Sequence, residues 1–182
     1  MGLTGHEDQG REAYRHCPHC GGRLEEKLVV EREPPRLVCG ACGFVFYLDP
    51  KVAVGAICRN SGGIVLLRRG IEPGYGKWVF PGGYVDRGET VEGAARREAR
   101  EEINAEIRLT RLLNVYSYEG TPVVVIVYEA EIVGGVVQVG EEALEVRTFA
   151  PSEIPWHDLA FRSTRDALRD SLDTRGGRQD KE

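Results

Sequence analysis

The stretch Gly83-Tyr84-Val85-Asp86-Arg87-Gly88-Glu89 runs into a segment ending Arg97-Glu98-Ala99-Arg100-Glu101-Glu102-Ile103. From Thr90 to Ile103 alanine and arginine are abundant and β-branched residues are few, so the segment favours helix. Glu98, Glu101 and Glu102 then stand at i, i+3 and i+4, which aims three carboxylates at one patch. By itself such a helix reads as a solvated face carrying Glu92–Arg96 and Arg97–Glu101 pairs. The neighbourhood shifts the balance. Val91, Ala95, Ala99 and Ile103 form an apolar i+4 stripe beside Glu98, so the acidic patch borders a buried face. Carboxylates about 4 Å apart repel by ~1 kcal/mol in water and ~4 kcal/mol at the effective dielectric of a partly buried site. A cleft holding three of them calls for protons or hard cations, and oxygen donors suit Mg2+ or Mn2+.

Upstream, Trp78-Val79-Phe80 reads as an apolar strand entering Pro81-Gly82-Gly83, where backbone can approach a metal or phosphate. Further strands are expected at Val52 to Cys58 and Ile64 to Leu67, joined by the turn Asn60-Ser61-Gly62-Gly63. Val, Ile and aromatic enrichment adds Ile107 to Tyr118, Val123 to Ile132 and Glu145 to Phe149. A second helix is expected from about Leu159 to Leu172. Strands with interspersed helices make the class α+β, or mixed α/β.

Ahead of this domain, Cys17-Pro18-His19-Cys20 and Cys39-Gly40-Ala41-Cys42 are separated by eighteen residues. That spacing lets two Cys-x-x-Cys turns close around one Zn2+ through Cys17, Cys20, Cys39 and Cys42. Four sulfur ligands leave no open position, so the zinc is expected to be structural. It would replace the core that so short a segment cannot build. Strands are expected around Leu28-Val29-Val30 and Leu37-Val38, with Pro34-Pro35 at the bend. His16 and His19 read as surface residues, and Cys58 as a small buried side chain. The expected organisation is a flexible arm over 1–15, a zinc ribbon over 16–47, the main domain over 50–172 and a flexible tail over 173–182.

Composition sets outer bounds. A chain of 182 residues with 41% hydrophobic and 29% charged residues holds one ordinary core and a small extra module. A formal charge of −5 weighs against nucleic acid or anionic membrane as the main partner. No apolar run approaches the roughly 20 residues needed to cross a bilayer, and Met1 to Tyr14 lacks a signal-peptide core. A cytoplasmic location without membrane attachment is expected. The odd count of 5 cysteines argues against a disulfide framework.

Gly83, five residues, Glu89, seven residues, Arg97-Glu98-Ala99, one residue and Glu101-Glu102 together resemble the Nudix box, preceded by the Trp and Pro-Gly-Gly that often introduce it. Asn104 replaces the expected glycine at the end of the box; asparagine accepts a left-handed cap best after glycine, so the turn should survive. Ala105 departs too, at a position usually filled by a larger aliphatic residue. The resemblance implies a Nudix α/β/α sandwich with a mixed sheet. A zinc ribbon before a Nudix domain is similar to NADH pyrophosphatases and to enzymes acting on FAD or ADP-ribose. Glu142-Ala143-Leu144-Glu145-Val146-Arg147 and Glu153-Ile154-Pro155-Trp156 resemble segments of the second group. Where NADH-type members carry Ser-Gln-Pro-Trp-Pro-Phe-Pro, this chain reads Val115-Tyr116-Ser117-Tyr118-Glu119-Gly120-Thr121-Pro122, which disfavours NADH.

The resemblance implies metal-assisted attack of water on a diphosphate of a small nucleotide substrate. Glu98 and Glu102 would hold the principal metal, Glu101 would add a ligand or help deprotonate water, and the Gly83 carbonyl would complete the shell. Arg97 would pair with Glu89. Glu142 resembles a downstream ligand or base, and reads equally as a solvated glutamate beside Glu141. Trp78, Phe80, Tyr116 and Tyr118 are the candidates to stack a base. Two alternatives stand beside this function: an NADH or NAD pyrophosphatase, and a non-catalytic ADP-ribose-sensing regulator. The choice between a monomer and a homodimer formed by strand pairing stays open.

Overall fold

The computed structural model of the protein describes residues 14–176. The chain groups into two compact units, one reaching to Pro50 and including Tyr118–Pro122, the other made of Lys51–Ser117 and the chain from Val123 onward. Residues 1–13 of the expected arm and residues 177–182 of the expected tail lie outside the described residues.

The smaller unit holds a three-stranded antiparallel sheet of β1 (Leu24–Lys27), β2 (Arg36–Cys39) and β3 (Val45–Phe46). Its core is Cys17, Leu24, Leu37 and Cys39 with Phe46 packed against them. The strand expected at Leu28-Val29-Val30 is a correction: β1 ends at Lys27, paired with Arg36, and the three side chains are exposed. Continuing that ladder would set Leu28 and Val29 opposite Pro35 and Pro34, which have no N–H to donate.

The larger unit is built on a seven-stranded mixed sheet in the order β10-β5-β4-β9-β8, with β6 beside β5 and β7 beside β4. The strands are β4 (Lys51–Asn60), β5 (Gly63–Arg69), β6 (Trp78–Val79), β7 (Gly82–Tyr84), β8 (Ala105–Tyr116), β9 (Val123–Gly135) and β10 (Ala143–Phe149). β4 and β9 run parallel, and the other pairs are antiparallel. Helix α1 spans Val91–Ile103 and helix α2 spans Arg162–Gly176.

Strand alternation divides the two faces. Val54 of β4 packs with Ala94 and Ala95, and Ala56 and Cys58 pack with Ala99 and Ile103, so the even-numbered side of β4 lies under α1. Arg59, on the opposite side, reaches Ser171 of α2. The two helices therefore cover opposite faces, giving an α/β/α sandwich. Among the described residues, no helix is long and apolar enough to cross a membrane.

Local chemistry sets the limits of α1. The Thr90 hydroxyl accepts from the Gly93 N–H at 3.0 Å, an N-cap. Asn104 takes the left-handed conformation at φ 50°, and its N–H bonds the Arg100 carbonyl. Helix α2 departs from expectation at both ends. It starts at Arg162, because Leu159 is buried and bridges to Trp78, and it continues to Gly176, past the expected tail start at Asp173.

Candidate functional site

The site is assembled where β7 meets α1. Pairing of Gly83 with Val54 places Gly83 on the α1 face, and a Cβ there would collide with the Glu98 carboxylate. The absence of a side chain is what lets the carboxylate lie against the strand. Next to it, the Gly82 N–H donates to Glu102 Oε2 at 2.8 Å. Glu98 is half-buried, Glu101 exposed and Glu102 buried, so the three helix carboxylates grade from solvent to core.

Arg97 ties this patch to the preceding loop. Its Nε and Nη2 donate to the two oxygens of Glu89 at 3.1 and 3.0 Å. Its Nη1 reaches Glu98 Oε1 at 2.8 Å and Glu101 Oε2 at 3.0 Å, and Nη2 also donates to the Tyr84 carbonyl at 3.1 Å. The guanidinium holds the Glu89 carboxyl below its ordinary value. Both Glu89 oxygens thus meet Arg97, with the Asp86 N–H also donating to Oε2 at 3.3 Å, and these bonds brace the loop against the helix.

The inner carboxyls are driven the other way. Burial raises Glu98 even against its contact with Arg97. Burial pushes Glu102 up to about 8, opposed by the Gly82 N–H and the charge of Arg69 and reinforced by Glu98 and Glu142. Glu142 is exposed, on the turn before β10. The Gly140 N–H bonds the Glu102 carbonyl at 3.0 Å and the Gly70 N–H bonds the Glu142 carbonyl at 2.7 Å. The fold brings Glu142 into the electrostatic field of Glu98 and Glu102 although some forty residues of chain separate them.

Sequence reasoning missed Arg69. It ends β5 opposite Ala143, its guanidinium lies 5.2 Å over the Phe161 ring, and its charge favours ionised Glu102. Only the β5–β10 register reveals this placement. Cys58 is fully enclosed, and burial, then the Glu102 charge, pushes its thiol up to about 12, so it is an inert core residue.

Of the aromatic candidates, Trp78 is buried edge-to-face against Phe149 with ring centroids 4.9 Å apart. Phe80 is buried against Gly55, where a Cβ would strike the ring. Tyr116 is buried with its hydroxyl donating to Asp170 Oδ2 at 2.7 Å. These three are core rings, a correction to the expectation that they stack a base. Tyr118 is half-buried in the turn after β8, within the smaller unit.

In the smaller unit, Cys17, Cys20, Cys39 and Cys42 bring their sulfurs within 4.8 Å of one another. Gly21 and Gly43 adopt φ of 74° and 73°, turning each Cys-x-x-Cys back on itself. The His19 N–H points at Cys17 Sγ and the Gly22 N–H at Cys20 Sγ, both at 3.4 Å. Backbone N–H groups of Cys42 and Ala41 bring the Cys39 thiol down to about 6. Against the Gly22 N–H, the Cys42 and Cys39 sulfurs push the Cys20 thiol up to about 12, so the closed set of four crowded sulfurs calls for a cation and fits Zn2+ in a structural role. His19 is instead stacked on Phe44, with centroids 5.9 Å apart.

The larger unit is thus a mixed-sheet α/β/α sandwich that gathers three carboxylates, graded from exposed to buried, at a glycine loop braced by one arginine. Residues 49–170 match the NUDIX domain family and residues 15–48 the Nudix N-terminal zinc-ribbon family, so this chain belongs to the Nudix hydrolases. It is 33% identical over 145 residues to an ADP-ribose pyrophosphatase of Methanocaldococcus jannaschii, covering 78% of this chain and 80% of that relative. It is 30% identical over 145 residues to the NAD-capped RNA hydrolase NudC of Stutzerimonas stutzeri, of which it spans 50% of the length. A crystal structure of a NUDIX hydrolase from Nitrosomonas europaea superposes with a TM-score of 0.85 at 35% identity, covering 90% of this chain and 93% of that one.

Proposed function

We propose that the chain hydrolyses the diphosphate linkage of a nucleoside diphosphate derivative of the ADP-ribose or FAD type, with Mg2+ or Mn2+ as cofactor. The observation that carries this reading is Glu102, a buried carboxyl pushed up to about 8, beside half-buried Glu98 and within the field of Glu142. The Gly82 N–H and the charge of Arg69 do not offset its burial, so further positive charge is needed to ionise it, and the carboxylates beside it supply oxygen donors, which suit a hard divalent cation.

Glu98 and Glu102 would hold the cation, with Glu101 and the Gly83 carbonyl completing its protein ligands. Bound there, it supplies charge that screens the diphosphate and favours hydroxide over water. The protein's own groups do the rest. Arg97 keeps Glu98 and Glu101 in position through Nη1, while Glu89 fixes the far edge of the guanidinium. Gly82 holds Glu102 Oε2 by its N–H. Glu142, exposed on its turn, would take the proton of the attacking water, with Glu101 and Glu102 as the other carboxylates able to do so. The cysteine-held Zn2+ would serve the fold of the smaller unit and take no part in the reaction.

Support for an ADP-ribose type of substrate is the extent of likeness: 80% of the length of the pyrophosphatase relative is covered, against 50% for the NAD-capped RNA hydrolase. The second relative keeps NADH and NAD as the alternative. Turnover of ADP-ribose, FAD and NADH by the full chain, with Mg2+ and then Mn2+, tests the proposal. Cleavage of ADP-ribose or FAD is expected. A preference for NADH would favour the alternative, and binding of ADP-ribose without cleavage by either cation would make the chain a sensor and overturn the enzyme reading.

A further inference from the structure

Trp78, Phe80 and Tyr116 being core residues, the larger unit needs another ring if it is to hold a flat group at the carboxylates. Most of its remaining aromatics are engaged. The Lys51 ammonium lies 4.9 Å over the Tyr84 ring, Arg69 covers Phe161, Arg169 lies 5.8 Å over Trp156, and the Tyr128 hydroxyl donates to Glu92. Tyr75 differs: it is 57% exposed, and among the described residues its ring has no aromatic or cationic partner.

An exposed tyrosine is ordinary in itself. What sets Tyr75 apart is its frame, the connection between β5 and β6. The Glu72 carboxylate accepts from the Gly74 N–H at 2.9 Å and the Tyr75 N–H at 3.5 Å. The Gly76 N–H bonds the Arg69 carbonyl at 2.8 Å, Arg68 Nε reaches the Gly76 carbonyl at 2.7 Å, and Arg69 Nε reaches the Pro73 carbonyl at 2.8 Å. Gly74 and Gly76 flank the tyrosine at φ of 86° and 75°, conformations that fix the direction of the tip. A ring with two χ angles on so constrained a backbone loses little freedom on binding.

The base of this loop lies beside the carboxylates. Gly70 bonds the carbonyl of Glu142, and Arg69 stands in the field of Glu102. Ile71, 40% exposed, and Leu144, 49% exposed and adjoining Gly70, add apolar surface beside the charges. Apolar surface next to carboxylates that call for a cation is the complement of a nucleotide, whose base is flat and whose diphosphate is charged.

We propose that Tyr75 is the ring on which the nucleobase of the substrate stacks, and that the loop over residues 70–77 selects the substrate. This rests on the diphosphate-hydrolase reading above. The test uses the full chain with Y75A and Y75F, titrated calorimetrically with Mg2+ and the uncleavable α,β-methylene analogue of ADP-ribose, alongside turnover of ADP-ribose. Y75A should weaken Kd and raise KM about tenfold with kcat unchanged, within the range of base–aromatic stacking. Y75F should stay within twofold, because the ring and not the hydroxyl makes the contact. Hydrolysis by the wild type with Y75A within twofold in both Kd and KM overturns Tyr75 alone. Tyr75-dependent binding without hydrolysis supports the stacking and overturns the enzyme reading. A wild type that does not bind the analogue and cleaves none of ADP-ribose, FAD and NADH overturns both.

Discussion

Glu102 makes an unusual demand on the fold, and E102Q isolates it. The carboxyl moves from an ordinary 4.5 to about 8 on folding, chiefly through burial. A raised acid favours its protonated form in the native state. Its contribution is therefore fully present below about pH 4.5 and is lost as pH climbs through about 8. Between about pH 5.5 and pH 8 the unfolded chain is ionised at this position while the folded chain still largely holds the proton. At 1.36 kcal/mol per unit, the native state loses ~3 kcal/mol relative to the unfolded state over that window. This is a ceiling, because Glu98 relaxes when its neighbour stays neutral. Glutamine can keep the acceptor for the Gly82 N–H and cannot ionise. In cation-free buffer the wild type should lose stability relative to E102Q across the window, shifting the difference in Tm by about 6–12 °C at most. Mg2+ should reverse the trend for the wild type, increasingly at higher pH, and leave E102Q nearly unmoved. Thermal melts at several pH values, with and without Mg2+, measure this. A wild-type-minus-variant difference that is flat from about pH 5.5 to pH 8 would refute the claim that burial loads this carboxyl.

Two further outcomes follow from the geometry. C39S should take zinc from about one to none per chain by metal analysis and unfold the smaller unit, since its core consists of little more than two cysteines and two leucines; a folded, zinc-loaded C39S would rule out the four-sulfur site. G83A places a Cβ into the Glu98 carboxylate, so kcat should fall by about 100-fold with the sheet intact by circular dichroism; wild-type turnover would show that Glu98 need not lie against the strand.

The parts of this architecture that were legible in advance are those that local chemistry dictates. Thr90 and Asn104 cap α1, and runs of Val and Ile mark β4, β5 and β9, because caps and pleated patterns act over a few residues. The Arg97–Glu89 pair was also foreseeable, both residues lying within the Nudix box. What escaped depends on neighbours distant along the chain. Whether Trp78 or Phe80 faces solvent is decided by Phe149 and Gly55, which no window around the glycine loop contains. Arg69 and Glu142 come into the electrostatic field of the helix carboxylates only through the β5–β10 register and the turn against Gly140. Leu28-Val29-Val30 has the composition of a strand and is denied a partner by two prolines across the ladder.

Two buried glutamates in the larger unit show why charge placement separates scaffold from site. Glu129, 5% exposed, accepts from the Ser171 hydroxyl at 2.6 Å and from Arg111 Nε at 2.8 Å. Burial pushes its carboxyl up, but Ser171 and Arg111 outweigh it and hold the group below the ordinary value. It is ionised, satisfied and fastens α2 to the sheet. Glu102, 8% exposed, has one side-chain hydrogen bond, from Gly82, and shares its surroundings with Glu98 and Glu142. The same residue type at similar burial thus ends in opposite states, because one is hydrogen-bonded by cationic and hydroxyl partners, whereas the burial of the other is offset only by the Gly82 N–H and the field of Arg69, against the like charge of Glu98 and Glu142. A fold selected for stability alone would complete the second site as it completes the first. On the proposed reading, leaving Glu102 short of positive charge would reserve that place for a divalent cation, and the local cost in stability would return as affinity for it.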